Sequence, residues 1–255
     1  MDKRIILFGI ILPLVMVIAI AYIKFVVHDG KTNIAFFIKW IPSALLSVQS
    51  IILACSYKFT SNDKHMYFYC LYLVTAYIFC ITADVLLIYD TIPFFMMGML
   101  MFLFVYFLFG MARIYHIREY ISCNNNKFIT FLGIIFIAIA QICYIVNAII
   151  LALENDNIDN IPFIILICVH CCFIIFSISC NYIYLVSFQT WSSLLSFIGV
   201  VMCSTSNCIL IFHKIKYTYE YLEILALALY WCSLTMISLS AYRTETIDYI
   251  MLNDD

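Results

Sequence analysis

The chain is 255 residues long, 66% hydrophobic and 11% charged, with a formal net charge of −2 and a mean hydropathy of +1.06. These values lie outside the range of soluble globular domains, and the chain carries no basic run with interleaved aromatics, so a soluble enzyme and a nucleic-acid partner are both excluded. What remains is an integral membrane protein, an all-α polytopic helix bundle forming one membrane domain over residues 1–255.

A bilayer core about 30 Å thick needs roughly 20 apolar residues per helix. Eight runs of that kind are predicted, at about 5–27, 34–56, 67–89, 92–112, 128–153, 161–186, 191–213 and 220–242. The first run is too long for a signal peptide and lacks a small-x-small cleavage site, so it reads as an anchor. The second opens on Lys39, a residue that can snorkel to the headgroups.

The third run contains "CITADVLLIY", residues 80–89, with Asp84 inside an apolar helix. A carboxylate there costs on the order of 2.5–3.5 kcal/mol, so it is expected to face the bundle interior or a wet cavity and to mark a functional site. Tyr77, Cys80 and Asp84 follow at helical spacing and make one polarisable stripe. Asp90 and Pro93 form the turn into the fourth run, where Tyr106 sits midway.

The acidic "ENDNIDN" segment, with Glu154, Asp156 and Asp159, separates the fifth and sixth runs. Within the sixth, "CVHCCF" places Cys168, His170, Cys171 and Cys172 close together, but His170 is expected to point away from the cysteine face and no second ligand pair follows. No metal site is assigned. The seventh run contains "CSTSNCILIF", residues 203–212, in which Cys203, Thr205 and Asn207 follow Cys80, Thr82 and Asp84 at one constant offset (207−84 = 123).

Four spans separate the two segments, so their helices run in the same direction, as a parallel four-plus-four internal repeat would have them. Counted to the ends of their predicted spans, both polar residues lie about 8–9 Å inside the same membrane face. On residue types alone the pair can also be interhelical glue, each satisfying the other.

Loop cations set the expected orientation. Lys3, Arg4, Lys58, Lys64, Arg113, Arg118, Lys127 and Arg243 fall on one side, and Lys24, Lys31, Lys39, Lys214 and Lys216 on the other, 8 against 5. Both termini are therefore expected in the cytosol. Twelve cysteines lie mostly within the spans and no Asn-x-Ser/Thr sequon occurs, so no disulfide-stapled ectodomain is expected. No phosphate loop, His-Glu-x-x-His or Gly-x-Ser-x-Gly pattern calls for a cofactor.

With these residues in hand, the chain resembles the YhhN-like membrane proteins, a family that includes the lysoplasmalogenases. The family's Lys-Pro-x-Pro entry to the second span is similar to "KWIP", with Lys39 and Pro42 kept and Trp40 in place of the first Pro. Its Gly-Asp-x-Leu-Leu block resembles "ADVLLI", keeping Asp84 and replacing Gly by Ala83. Phe95 and Gly98 match the Phe-x-x-Gly that follows, and the family's His and Tyr fall on Tyr106 and Phe109. The second Ser-Asp-x-Leu-Leu block, with a preceding Gly, resembles Gly199 and "SNCIL", keeping Ser206 but holding Asn207 for Asp. In the last span Tyr230 survives, and Leu234 stands for a Gln.

The resemblance implies an endomembrane enzyme, of the endoplasmic reticulum or a related compartment, that hydrolyses the vinyl ether of a lysoplasmalogen to an aldehyde and a glycerophospho-alcohol. A membrane lipid or lysophospholipid is then the partner. Asp84 would act as acid or base, Asn207 and Ser206 would position water, Lys39 would hold the substrate phosphate, and Tyr106 and Tyr230 would line the pocket. Asn207 is the chemical departure, because an amide exchanges no proton at useful pH and loss of a general base typically costs about 10²–10⁴ in rate. Two alternatives stay open: a non-catalytic relative that binds lysolipid or sterol, and a chemoreceptor or small transporter.

Overall fold

A computed structural model describes residues 3–22, 38–61, 63–89, 91–117, 127–154, 160–216 and 219–242. Lys24, Lys31, Asp90, Arg118, Asp156, Asp159 and Arg243, on which the loop readings drew, lie outside them. Among the described residues there is no strand. Eight α-helices follow in the expected order: α1 Lys3–Tyr22, α2 Ile41–Ser56, α3 Lys64–Leu86, α4 Ile92–Ile117, α5 Lys127–Leu153, α6 Asn160–Phe188, α7 Trp191–Ile215 and α8 Glu220–Leu239.

Seven stretches, α2 continued to Phe59 and α3 to α8, are long and apolar enough to cross a membrane. The described side chains of α1 give a shorter apolar stretch, Pro13–Tyr22. The chain is a multi-pass helical membrane protein, and its membrane-facing side chains are the exposed Ile, Leu, Val and Phe that a soluble protein would hide.

Local chemistry sets the helix ends. Pro42 stands in the first turn of α2, where its missing N–H costs nothing. That helix ends in a π-helical turn, Tyr57–Ser61. Asp63 caps α3 by accepting from the backbone N–H of Met66 at 3.0 Å. Thr190 and Ser193 form a capping box at α7. Gln189, with φ 51°, makes the reversal between α6 and α7 in the left-handed region.

The tightest packing joins α7 to α8, α3 to α4 and α4 to α6. Gly199 permits the first of these, since a Cβ there would come within 3.0 Å of the Ser233 carbonyl oxygen and 3.1 Å of the Ile237 nitrogen on α8. Helix α5 packs mainly on α6, with only Ala148 and Ala152 of its own residues buried.

Two of the sequence expectations change. Arg113, counted with the loop cations, lies inside α4, which runs to Ile117, and it is fully buried. The equal-depth argument also fails as stated. Helix α3 closes at Leu86, so Asp84 sits in its last turn, whereas α7 continues for two turns beyond Asn207. Helix length past a residue does not measure its depth when helices overhang one another.

Candidate functional site

Asp84 and Asn207 are each 1% exposed. Asp84 Oδ2 accepts from the Ser43 hydroxyl of α2 at 2.9 Å and from the Tyr230 hydroxyl of α8 at 3.2 Å. Phe102 meets the Tyr230 ring edge to face at 5.7 Å and fixes its direction. Both hydroxyls address the same carboxyl oxygen, and among the described residues Oδ1 has no hydrogen-bond partner.

Asn207 does not bond Asp84, so the mutual-glue reading fails. Its Nδ2 donates instead to the Tyr106 hydroxyl of α4 at 2.9 Å. That hydroxyl donates onward to Cys203 Sγ at 3.5 Å. That bond uses the amide nitrogen of Asn207 and leaves its amide oxygen available as an acceptor. Both polar residues are held by a tyrosine of a neighbouring helix, but not by one another.

A cavity of about 30 Å³ lies between them, lined by Lys39, Asp84, Leu87, Phe102, Ser206, Asn207, Leu210, Glu223, Ala226, Leu227 and Tyr230. That volume holds about two waters. Five of the six residues expected at the site line it: Lys39, Asp84, Ser206, Asn207 and Tyr230. Tyr106 stands behind Asn207 and sets its amide.

Two of the lining residues carry structural bonds as well. The Ser206 hydroxyl donates to the Ala226 carbonyl at 2.7 Å, tying α7 to α8. The Lys39 ammonium donates to the Leu87 carbonyl at 3.4 Å, where a cation suits the C-terminal end of α3. Lys39 also lies within electrostatic range of Asp84 and Glu223.

The sequence reading missed three participants. Ser43 follows "KWIP" directly, and its hydroxyl becomes relevant only when α2 packs on α3. Glu223 lies in the first turn of α8, where an acid reads as an ordinary helix start; its spacing of seven residues from Tyr230 was the available signal. His170, set aside with the cysteine cluster, packs edge to face on Tyr106 at 5.3 Å. The cysteines beside it diverge, with Cys171 buried and Cys172 exposed.

The fold and this site define a polytopic helical membrane protein with a small polar cavity lined by Lys39, just before α2, and by residues of α3, α4, α7 and α8. No protein family, curated protein or solved structure matches the chain.

Proposed function

We propose that the protein is a lysoplasmalogenase-like hydrolase that cleaves the vinyl ether of a lysolipid to an aldehyde and a glycerophospho-alcohol. The observation that carries this reading is the one cavity shared by Lys39, Asp84, Ser206, Asn207 and Tyr230, from four separate stretches of chain. Vinyl-ether hydrolysis needs a proton at the β-carbon, which makes an oxocarbenium centre, and then water at that centre. Asp84 supplies the proton from Oδ1, since Oδ2 is occupied by Ser43 and Tyr230. The Asn207 amide oxygen and Ser206 orient the water, and Lys39 attracts the phosphate.

The cavity is far smaller than the roughly 300–1,000 Å³ of ligand pockets, so lipid binding requires side chains such as Phe102 and Leu227 to turn aside. Purified protein in detergent is expected to release aldehyde from lysoplasmenyl lipid. Asp84→Asn is expected to lower the rate by about 10²–10⁴. An inert wild type overturns the reading, and a Tyr106→His, Asn207→Asp double variant that then releases aldehyde would mark those two positions as the reason.

The second reading, a non-catalytic lysolipid or sterol binder, is favoured by the amide at 207. Saturable binding without product in the same preparation selects it.

A further inference from the structure

We propose that Glu223 is the second carboxylate of the reaction, the base that takes the proton from the attacking water; this rests on the hydrolase reading above. Two steps of the chemistry, protonation of carbon and deprotonation of water, call for groups in opposite protonation states. Asn207 performs neither.

Glu223 lines the cavity with Asp84, and they are its two acidic residues. The α8 face that closes the cavity is Glu223, Ala226, Leu227 and Tyr230, spaced i, i+3, i+4 and i+7, so the residue that holds Asp84 and the residue that supplies the base share one helical stripe. Lys39 lies within electrostatic range of both carboxyl groups, and so does Tyr22 of α1. One ammonium thus interacts with both acids. The space between holds about two waters, one of which is the nucleophile.

The steps balance. Asp84 Oδ1 gives its proton to the β-carbon, and the ether oxygen shares the positive charge. Water adds to the α-carbon and passes a proton to Glu223, giving a neutral hemiacetal. The carbon–oxygen bond then breaks. The Glu223 proton goes to the departing glycerol oxygen, and the hemiacetal hydroxyl proton returns to Asp84, restoring both groups.

The test measures aldehyde release from lysoplasmenyl-ethanolamine by the full-length protein in detergent. Glu223→Gln is expected to lose about 10²–10⁴ in rate. Adding Asn207→Asp to that variant is expected to regain at least about tenfold, because a carboxylate returns to the same cavity; loss of a merely structural contact at 223 would not be repaired from 207. Glu223→Gln turning over at the wild-type rate overturns the proposal, as does a folded double variant no faster than the single one. If Glu223→Gln aggregates, Glu223→Asp takes its place, with an intermediate rate expected and a wild-type rate overturning the role. An inert wild type overturns the hydrolase reading itself, whereas an active wild type with an active Glu223→Gln removes only Glu223.

Discussion

Arg113 shows how a single residue is tolerated in a setting that disfavours it. A guanidinium on a membrane helix costs several kcal/mol unless its donors and charge are met. Nε donates to Ser196 at 3.0 Å, and Nη2 donates to Tyr69 at 2.6 Å and to Ser240 at 2.8 Å. The rings of Tyr69 and Tyr184 flank the plane at 3.8 and 4.2 Å. Residues of α3, α4, α6 and α7, and the cap residue that follows α8, therefore meet on one side chain. Arg113→Met is expected to lower stability by about 2–4 kcal/mol, read as a drop in the thermal midpoint of the detergent-solubilised protein. Arg113→Lys is not expected to restore it, because an ammonium offers neither the planar fork nor the stacking face. At the same scale Asp84 was legible, since an acid in an apolar run stands out. Arg113 was not, because an Arg near a span end reads equally well as a loop cation until α4 is seen to continue to Ile117.

Among elements, the pairing of α7 with α8 decides whether the site exists. Gly199 brings the backbones together, Ser206 ties to Ala226, and both Asn207 and Glu223 then reach one cavity. Gly199→Leu forces a branched side chain against the Ser233 carbonyl. It is expected to cost about 1–3 kcal/mol and to lower aldehyde release by moving α8 from Asp84, whereas a surface substitution of equal stability cost leaves the rate unchanged. The helices themselves were readable from hydropathy, and the spans match their predicted order. Their ends were less so: α3 stops three residues before the predicted Tyr89, where the chain leaves the helix through a turn at Leu87 and Ile88.

Across the whole molecule, the repeated segments behave alike. Cys80 and Cys203 are buried, and Thr82 and Thr205 are exposed and bond back to Ile78 and Val201 at 3.1 and 2.9 Å. Each polar member pairs with a tyrosine from the other half: Asp84 with Tyr230 of α8, Asn207 with Tyr106 of α4. Those tyrosines are themselves separated by nearly the same interval (230−106 = 124). The exchange between halves is what a pseudo-two-fold arrangement produces. The bundle is also polarised, with Lys39, Asp84 and Glu223 toward one end and Arg113 toward the other. A crossing by α1 in addition to the seven long helices would return the chain to its starting side; tags at the two termini are then expected to be labelled together or protected together in sealed vesicles, and opposite accessibility would leave seven crossings.

The sequence by itself determined the membrane class, the number and order of helices, and the acid at 84, because apolar runs and a misplaced charge are one-dimensional signals. Its echo at 207 was equally visible. Only the tertiary structure decided that Asp84 and Asn207 do not bond each other, that Tyr106 stands behind the cavity while Tyr230 lines it, and that Arg113 is enclosed. Those outcomes depend on which helix faces which, and on overhang and rotation between helices. Glu223 belongs with them: an acid in a first helical turn is unremarkable along the chain, and gains its meaning from lining the same cavity as Asp84.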